Sequence, residues 1–449
     1  MARLFGTDGV RGLANVDLTA PLALELGEAA ARLTIQGRPA SGHKPKAIIG
    51  RDTRISGEFL DHALAAGLAS AGMDVVRVGV VTTPTVAHLT ASSSVDLGVM
   101  ISASHNPMPD NGIKFFAHGG YKLPDQVEDQ IQELLNTSWD RPTGAAVGEV
   151  EYDDDWAEKS YIEHLMTSLG TDLHGLRIAV DCANGGASFL APEAFRQAGA
   201  DAVVINAAPD GRNINDKAGS THPEQLQALT VAAEADFGVA YDGDADRCLA
   251  VDRDGNIVDG DKIMGALAVH MRDEGQLAKD TLVVTVMSNL GLILAMREAG
   301  IKTVQTGVGD RYVLEAMLEG GYSLGGEQSG HIIAKKYATT GDGILSSLLL
   351  ARMVKESGRD LADLTSFIKR LPQTLINVGG VDRSRANTDP AVQEAVAAAE
   401  AVLGNTGRVL LRPSGTEPLV RVMVEAATQA QADGVASRLA DVVKENLAL

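Results

Sequence analysis

Three aspartates at alternate positions form the clearest chemical signal in this 449-residue sequence. They are Asp242, Asp244 and Asp246, in the string DGDADR. In an extended segment alternate side chains share one face, so the three carboxylates should converge. Converging like charges repel one another unless a cation lies among them, and oxygen ligands suit Mg²⁺. An EF-hand loop is excluded because Arg247 and Arg253 stand where that loop needs Gly and Glu. The sequence therefore predicts a magnesium site with room for a phosphate oxygen; the alternative is a solvated acidic turn.

A turn rich in hydroxyl groups, SASHNP, could supply a nucleophile. It contains Ser102, Ser104 and His105. The sequence has no G-x-S-x-G elbow, which argues against an acyl-transferring hydrolase. Taken alone, Ser104 could be a turn-forming hydroxyl, and His105 could be a surface residue or an orienting partner. Beside a metal loop, we interpret Ser104 as a reactive hydroxyl.

Two further strings could bind a phosphorylated sugar. GEQSGH offers Glu327, Ser329 and His331 between glycines, a set that suits sugar hydroxyls; the alternative is a polar turn. RPSGTEP could clamp a phosphate, because backbone N–H groups near a glycine can cradle an anion and an arginine completes the site. Its alternative is a hairpin with a surface arginine. The residues of this predicted clamp are Arg412, Ser414, Gly415 and Thr416, with Arg421 on the following strand.

Basic residues recur within the polar strings of an acidic chain. The sequence has 39 Lys and Arg against 59 Asp and Glu, a net charge of −20. That charge argues against a general binder of nucleic acid or membrane surfaces, which needs a basic face. Four basic residues lie instead within or next to the polar strings: Arg11 in FGTDGVRG, Arg51 and Arg54 in GRDTR, and Lys114 after SASHNP. Their positions predict a small phosphorylated substrate.

Composition predicts a globular, multi-domain chain in the cytoplasm. Hydrophobic residues make up 45% and charged residues 22% of the sequence, an ordinary globular balance. Its length suggests about three domains. The two cysteines, Cys182 and Cys248, are too few for a disulfide framework. The first residues lack the apolar core of a signal peptide, and no apolar run approaches the roughly 18 residues of a membrane helix.

A repeated order of elements should position these strings. Three stretches, beginning at Lys46, Leu176 and Thr281, each follow the order strand, helix, strand, helix, strand. An Ala-Gly pair ends the first helix of each copy, where glycine suits a left-handed C′ residue. The pairs lie at 71–72, 198–199 and 299–300. Alternating strands and helices imply mainly parallel sheets with right-handed crossovers. The third strand of each copy ends in SASHNP, DGDADR or GEQSGH, and ligands collect beyond the carboxyl ends of such strands. We therefore expect the three strings to face one cleft.

The sequence after residue 370 differs from the three copies. A strand and a helix precede an antiparallel pair, RVLLRP and PLVRVMVEA, and a last helix follows. The predicted fold class is three related α/β domains with mainly parallel mixed sheets around a central cleft, plus a C-terminal α+β domain. The predicted domains are 1–155 with the hydroxyl loop, 156–254 with the metal loop, 255–370 with the sugar loop and 371–449 with the phosphate clamp.

Five strings in this order resemble those of the α-D-phosphohexomutases. FGTDGVRG, SASHNP, DGDADR, GEQSGH and RPSGTEP together span residues 5–418, nearly the whole chain. The length and the form GEQSGH are most similar to the bacterial members that act on glucosamine phosphates. Some relatives carry lysine before VGDR, whereas this chain has Gly307, so a sugar contact by that lysine is lost or made elsewhere.

The resemblance implies an isomerase that interconverts glucosamine 6-phosphate and glucosamine 1-phosphate for UDP-N-acetylglucosamine synthesis. Ser104 would be a phosphoserine that transfers its phosphoryl group to the sugar, giving glucosamine 1,6-bisphosphate as intermediate and activator. One Mg²⁺ per subunit would be held by Ser104 and the three aspartates.

The resemblance also implies roles for the remaining strings. Glu327 and Ser329 would bind sugar hydroxyls, and the residues of the RPSGTEP clamp with Arg421 would hold the phosphate that is not reacting. Arg247 would contact the substrate. Further catalytic groups would be Arg11, His105, Lys114 and His331, the last two as proton shuttles or phosphate contacts.

Other functions stay open at this point. A phosphomannomutase or phosphoglucomutase would share every catalytic string. A magnesium-dependent sugar phosphatase would instead transfer the phosphoryl group of Ser104 to water. A non-catalytic sugar-phosphate sensor is argued against by the intact Ser104 and aspartates. The expected partner is a small phosphosugar, without nucleic acid or membrane; the oligomeric state is open, with a homodimer as one option.

Overall fold

The computed structural model describes residues 3–6, 8–37, 44–414 and 419–449. The chain divides into two compact units. The first comprises Met1–Met287 and Ile301–Ser366, and the second comprises Ser288–Gly300 and Phe367–Leu449. Among the described residues, no helix is both long enough and apolar enough to cross a membrane.

The first domain of the first unit is built on a mixed sheet. Its helices and strands are β1 (Val10–Leu13), α1 (Ala20–Gly37), β2 (Lys46–Arg51), α2 (Ile55–Ser70), β3 (Asp74–Val80), α3 (Thr83–Ser92), β4 (Leu97–Ile101), β5 (Asp110–Ala117), α4 (Asp125–Leu134) and β6 (Val150–Tyr152). Within the described ranges the strand order is β1-β5-β4-β2-β3-β6. Strand β2 pairs in parallel with β3 and β4, whereas β5 runs antiparallel to β1 and β4. Every residue of β4 is buried, as is typical of an apolar run at the centre of a sheet.

The second domain repeats this plan. Its elements are α5 (Asp154–Leu169), β7 (Arg177–Asp181), α6 (Ala187–Gln197), β8 (Asp201–Ile205), α7 (Glu224–Ala232), β9 (Phe237–Tyr241), β10 (Cys248–Asp252) and β11 (Ile257–Val258). The strand order, counted over the described residues, is β11-β10-β9-β7-β8. Strands β7, β8 and β9 are parallel, and β10 returns antiparallel beside β9. Strands β10 and β11 form a hairpin around Asp254 and Gly255, at the predicted end of this domain.

The third domain is a smaller version of the same unit. Its elements in the first unit are α8 (Gly260–Asp273), β12 (Thr281–Thr285), β13 (Lys302–Thr306), α10 (Asp310–Gly320), β14 (Leu324–Gly326), β15 (Ile332–Ala334), α11 (Gly343–Ser357) and α12 (Leu361–Thr365). The order in the described part of this sheet is β13-β12-β14-β15. Strand β12 pairs in parallel with β13 and β14, and β15 returns antiparallel to β14.

The return strands explain where the polar strings lie. In each domain the third strand of the repeat is followed by an antiparallel neighbour: β4 by β5, β9 by β10 and β14 by β15. Each polar string is therefore the connection at the carboxyl end of a buried strand. The helix ends behave as predicted, since Gly72, Gly199 and Gly300 have φ values of 97°, 83° and 75°. Left-handed glycines thus end α2, α6 and the corresponding helix of the third copy.

The second unit holds the C-terminal domain. Its elements are α9 (Leu290–Glu298), β16 (Gln373–Gly379), α13 (Pro390–Leu403), β17 (Arg408–Pro413), β18 (Leu419–Glu425) and α14 (Gln429–Asn446). The described strands form an antiparallel sheet in the order β16-β18-β17. Valines of β18, including Val420, Val422 and Val424, pack with buried residues of α14 in one apolar core. Helix α9, although it lies between β12 and β13 in the chain, belongs to this unit.

Candidate active site

Ser104 lies just beyond β4 with its hydroxyl directed at the second domain. Its backbone is left-handed, with φ of 53°, and the residue is only 1% exposed. The Ser104 N–H donates to Ser102 Oγ at 2.9 Å, and that hydroxyl donates to Asp52 Oδ2 at 2.6 Å. Ser104 Oγ donates to Asp242 Oδ2 at 2.5 Å and lies 3.3 Å from His105 Nδ1. The turn therefore presents one hydroxyl to the aspartate loop in a fixed direction.

The three aspartates of the loop between β9 and β10 are buried together. Each offers a carboxylate oxygen within 4.8 Å of the other two. Burial, together with the neighbouring charges of Asp246 and Asp244, raises the pKa of Asp242 to about 8. Burial alone would raise the pKa of Asp246. The nearby charges of His331 and Lys114 lower it by more, so the net pKa lies well below its ordinary value.

This loop fits a hard divalent cation. Among the described residues, Asp244 Oδ1 and Asp246 Oδ1 are buried oxygens without a hydrogen-bond donor. A buried carboxylate oxygen left unpaired is costly, and oxygen ligands are those that Mg²⁺ prefers. Together with Asp242, these residues could hold Mg²⁺ next to the Ser104 hydroxyl.

Lys114, on β5, is the cation nearest to the aspartate loop. Its side chain is 1% exposed, and its Nζ lies 2.8 Å from Asp244 Oδ2 and 2.9 Å from Asp8 Oδ2. Burial lowers the pKa of Lys114, but Asp244 and Asp8 raise it more, and the net pKa is raised. A lysine with a raised pKa stays charged, which favours charge compensation or phosphate contact over proton transfer.

A chain of ion pairs connects this lysine to the third domain. Lys122 contacts both Asp8 and Asp310. Asp310 Oδ2 lies 3.7 Å from His331 Nε2, and His331 Nδ1 lies 3.5 Å from Asp246 Oδ2. Burial lowers the pKa of His331, yet Asp246 and Asp310 raise it to above its ordinary value. Charged groups of all three α/β domains therefore meet within one buried network.

Two arginines extend the positive charge around Ser104. The Arg11 guanidinium contacts Asp8, and Arg247 Nε lies 3.8 Å from Asp246 Oδ1. The backbone N–H of Arg247 also donates to Asp242 Oδ1 at 3.2 Å. Burial lowers the pKa of His105 to about 4, and the charges of Arg247 and Arg11 act in the same direction. His105 is therefore neutral near pH 7, and the positive charges of both arginines act on its ring beside Ser104.

The sugar string is connected to this centre through Arg247. The pKa of Arg247 is lowered by burial but raised more by carboxylates, among them that of Glu327. Glu327 Oε1 accepts a hydrogen bond from the Gly309 N–H at 3.0 Å. Ser329 and Gly307 are exposed. The first unit thus brings Glu327 and His331 of the sugar string close to the metal loop and the Ser104 turn, whereas no contact joins Ser329 to them among the described residues.

The predicted phosphate clamp lies in the second unit. Arg412 on β17 and Arg421 on β18 are directly opposite each other in the antiparallel pair. Opposed side chains lie on the same face, and like charges at that spacing repel, so an anion between them would be stabilising. The Ser414 N–H donates to the Leu419 carbonyl at 2.9 Å. Gly415 and Thr416 lie outside the described residues.

Sequence reasoning missed three members of the buried network. Asp8 belongs to FGTDGVRG and Asp310 to VGDR, so each lies within a quoted string, but only the fold shows their shared contact with Lys122. Lys122 belongs to no string that we identified, and no local pattern of residues marks it. Its contacts are 114 and 188 positions away in the chain.

Comparison with known proteins agrees with this architecture. The chain matches four Phosphoglucomutase/phosphomannomutase domain families: alpha/beta/alpha domain I over residues 2–141, domain II over 159–255, domain III over 259–371 and the C-terminal domain over 375–442. It is 60% identical to phosphoglucosamine mutases of Bifidobacterium animalis subsp. lactis and Kineococcus radiotolerans, and 59% identical to that of Streptomyces coelicolor, each over 100% of both chains.

Solved structures share the fold across the whole chain. A phosphoglucomutase/phosphomannomutase family protein from Burkholderia thailandensis superposes with a TM-score of 0.81 at 27% identity, covering 99% of this chain and 97% of that one. Aspergillus fumigatus N-acetylphosphoglucosamine mutase, solved with GlcNAc-6P and magnesium, has a TM-score of 0.70 at 20% identity, covering 99% and 96%. The predicted fold class is confirmed. Since four domain families and full-length relatives agree, the chain belongs to the phosphoglucomutase/phosphomannomutase family of phosphohexomutases.

Proposed function

We propose that this chain is a phosphoglucosamine mutase, an isomerase that interconverts glucosamine 6-phosphate and glucosamine 1-phosphate. The observation that carries the chemistry is the 2.5 Å contact between Ser104 Oγ and Asp242 inside a buried cluster of three aspartates. That arrangement supports phosphoryl transfer at a serine beside a metal. Identity of about 60% over the full length of phosphoglucosamine mutases supports the choice of sugar.

In the proposed reaction, the phosphoryl group moves from Ser104 to the sugar and a different one returns. First, a free hydroxyl of the sugar phosphate attacks the phosphorus of phosphoserine 104, and the bond between phosphorus and Ser104 Oγ breaks. The sugar oxygen loses its proton and the released Ser104 Oγ takes one up, so that glucosamine 1,6-bisphosphate and a free serine hydroxyl form. After the bisphosphate turns over, Ser104 Oγ attacks its other phosphate and the isomeric monophosphate is released. Because Asp242 is assigned to the metal, the acceptor for the Ser104 hydroxyl proton would be His105 Nδ1, which lies 3.3 Å from Oγ.

The residues around Ser104 supply most of the electrostatic stabilisation in this proposal. Asp242, Asp244 and Asp246, with an oxygen of phosphoserine 104, would hold one Mg²⁺ per subunit. Bound there, the ion supplies Lewis-acid polarisation of the phosphoryl oxygens. Arg11 and Arg247 would balance the charge that develops on those oxygens, in a site that is already organised before transfer. Lys114 would keep the aspartate loop in place.

The sugar is proposed to be held at both ends. Glu327 and Ser329 would bind its hydroxyls, and the Gly309 N–H fixes the orientation of Glu327. The clamp of Arg412, Ser414, Gly415 and Thr416, with Arg421, would hold the phosphate that is not reacting. His331 would contact phosphate or substrate from its place beside Asp246. The homodimer and the cytoplasmic location stay predictions.

A coupled assay with three sugars tests the proposal. The wild-type protein should convert glucosamine 1-phosphate faster than mannose 1-phosphate or glucose 1-phosphate. Preference for mannose or glucose would contradict the assigned substrate. Release of inorganic phosphate without bisphosphate would indicate the phosphatase instead.

A serine pair tests the assigned nucleophile. Ser104→Ala should abolish both turnover and the phosphoprotein mass in an intact-protein spectrum. Ser94→Ala is the matched control, because Ser94 is an exposed serine at the other end of β4. Substantial steady-state activity in Ser104→Ala would contradict the assignment, and Ser102 would become the next candidate.

A further inference from the structure

Two side chains from different domains hold the carbonyl groups of the Ser104 turn. Arg54 Nη2 donates to the Ser104 carbonyl at 3.2 Å and to the Asn106 carbonyl at 2.6 Å. Asn215 Nδ2 donates to the same two carbonyls, at 2.9 and 3.1 Å. Arg54 belongs to the first domain and Asn215 to the loop between β8 and α7 of the second. We name this arrangement the carbonyl clamp.

The hydrogen-bonding capacity of the carbonyl clamp is fully used. Each of the two nitrogens carries two N–H groups, and each carbonyl oxygen has two lone pairs. Four donors therefore meet four acceptor positions. Removing either side chain leaves the buried Ser104 carbonyl and the half-buried Asn106 carbonyl each with one donor fewer.

Arg54 is fixed from its own domain. It is fully buried, its Nη1 contacts Asp52 Oδ2, and its backbone N–H donates to Asp52 Oδ1 at 2.9 Å. Asp52 also accepts from Ser102 Oγ, which in turn accepts from the Ser104 N–H. The first domain thus holds both the N–H and the carbonyl of Ser104 through one continuous set of contacts.

Asn215 is fixed from the second domain. Its backbone is left-handed, with φ of 58°, and its N–H donates to the Ala183 carbonyl at 2.9 Å. Gly243, within the aspartate loop, packs against the same place. A Cβ on Gly243 would lie 2.6 Å from the Ser104 carbonyl oxygen and 2.9 Å from Asn215 Nδ2. The turn, the asparagine and the aspartate loop are therefore in direct contact.

We propose that Asn215 is a positioning residue for phosphoryl transfer, an inference that rests on the proposed function. Its amide locks the Ser104 turn in the left-handed conformation that directs Oγ at Asp242. An ordinary residue avoids this backbone region, and the surrounding contacts must hold it there. Asn215 belongs to the domain that carries the aspartates, so its hydrogen bonds to the turn fix the position of Ser104 Oγ relative to the metal loop.

Two substitutions at this position test the inference. Asn215→Asp keeps the shape and tolerates the left-handed backbone, but its carboxylate cannot donate and would face two carbonyl oxygens. Asn215→Ala removes both donors without adding charge. If Asn215→Asp does not fold, the alanine variant tests whether Asn215 positions Ser104. Asn213→Asp is the matched control: Asn213 lies in the same loop, and its Nδ2 donates to the Ala208 carbonyl at 3.0 Å, away from Ser104.

The expected result is a loss of kcat with binding retained. Misplacing the nucleophile by about 1 Å should lower kcat roughly 10- to 100-fold in both Asn215 variants. The KM for glucosamine 1-phosphate and the affinity for Mg²⁺ should stay within about twofold of wild type, since neither binding set includes Asn215. On incubation with glucosamine 1,6-bisphosphate, Ser104 should become phosphorylated more slowly in the variants than in the wild type, as measured by intact mass. The Asn213 control should behave as wild type.

The inference is overturned if wild type is active and the Asn215 variants keep its kcat and rate of phosphorylation. It is also overturned if kcat falls only in proportion to lost Mg²⁺ affinity or lost folded protein, because Asn215 would then be merely structural. A wild-type protein that does not interconvert glucosamine phosphates would instead contradict the proposed function. The two failures are thereby distinguishable on one set of preparations.

Discussion

Replacing Lys114 with methionine tests how the protein neutralises its aspartate cluster. Methionine fills similar space with a flexible apolar chain, so the substitution removes mainly the charge. In the wild type, Nζ lies 2.8 Å from Asp244 Oδ2 and 2.9 Å from Asp8 Oδ2, with 1% of the side chain exposed. Asp246 Oδ2 lies 3.9 Å from the same Nζ, so the variant leaves three carboxylates short of a cation.

The size of the effect follows from what those carboxylates retain. Asp8 keeps its contacts with Lys122 and Arg11, whereas Asp244 keeps the Thr83 hydroxyl, which donates to Oδ2 at 2.6 Å. Breaking a buried ion pair by removing one partner costs about 3–5 kcal/mol. We expect the free energy of unfolding without Mg²⁺ to fall by that amount, mainly through Asp244.

Added Mg²⁺ should recover part of this loss. A divalent cation among the aspartates replaces the missing positive charge, so it should bind the variant more tightly than the wild type and stabilise it more at the same concentration. At 100 times its Kd, a ligand specific for the folded state contributes about 2.7 kcal/mol. Urea unfolding with a chelator and then across a Mg²⁺ titration measures both effects.

Lys122→Met is the matched control for this experiment. Lys122 is also largely buried and contacts Asp8 and Asp310, and in the described part of the chain it makes no ion pair with the metal aspartates. It should lose stability with no extra gain from Mg²⁺. Equal recovery in both variants, or an unaltered Lys114→Met protein in the chelator, would refute the view that Lys114 neutralises the metal loop.

Three other substitutions test the metal loop, a buried carboxyl outside the site and the predicted phosphate clamp. Asp244→Asn removes one of three converging charges and should weaken Mg²⁺ binding roughly tenfold or more while leaving the protein folded, as calorimetric titration would show. Asp342→Asn addresses a buried carboxyl whose pKa burial raises to about 6, so that wild-type stability is lost as pH rises through that value. The amide oxygen can still accept from Tyr161, and the variant should gain up to about 3 kcal/mol over wild type between pH 4 and pH 7.5 in urea unfolding. Arg412→Ala should lower kcat/KM roughly 10- to 100-fold, with phosphoserine and Mg²⁺ affinity unchanged in mass spectra and titrations. Normal kinetics would mean that the phosphate clamp does not include Arg412.

The sequence was informative wherever a local pattern has a local cause. A left-handed glycine ends a helix because no side chain resists that backbone, so three Ala-Gly pairs predicted three equivalent helix ends. Apolar runs followed by polar strings predicted buried strands with functional residues at their carboxyl ends. Alternating aspartates predicted a cluster of carboxylates, and Asp242, Asp244 and Asp246 do lie together.

The remaining features depend on contacts between distant parts of the chain. The return of β5 beside β4, and its pairing with β1, is set by tertiary packing rather than by the four residues of β1. The order of apolar residues in α9 does not predict that this helix belongs with the C-terminal domain. Asn215 looks like any loop asparagine until the fold places its amide against two carbonyls from another domain.

The charges at the site explain why phosphorylation and metal binding should support each other. Within the described network, five carboxyl groups lie among four permanent cations, and Asp242, with its pKa of about 8, is largely protonated at pH 7, so the charges nearly balance. The carboxylates are Asp8, Asp242, Asp244, Asp246 and Asp310, and the cations are Arg11, Lys114, Lys122 and Arg247. A phosphoserine adds close to two negative charges at neutral pH, and the nearly balanced site would have to accept them where Ser104 and the three aspartates are buried. A divalent cation adds two positive charges within reach of the same oxygens. The pair together leaves the balance almost unaltered, whereas either one alone disturbs it by two charges in a buried place, where such a disturbance is most costly.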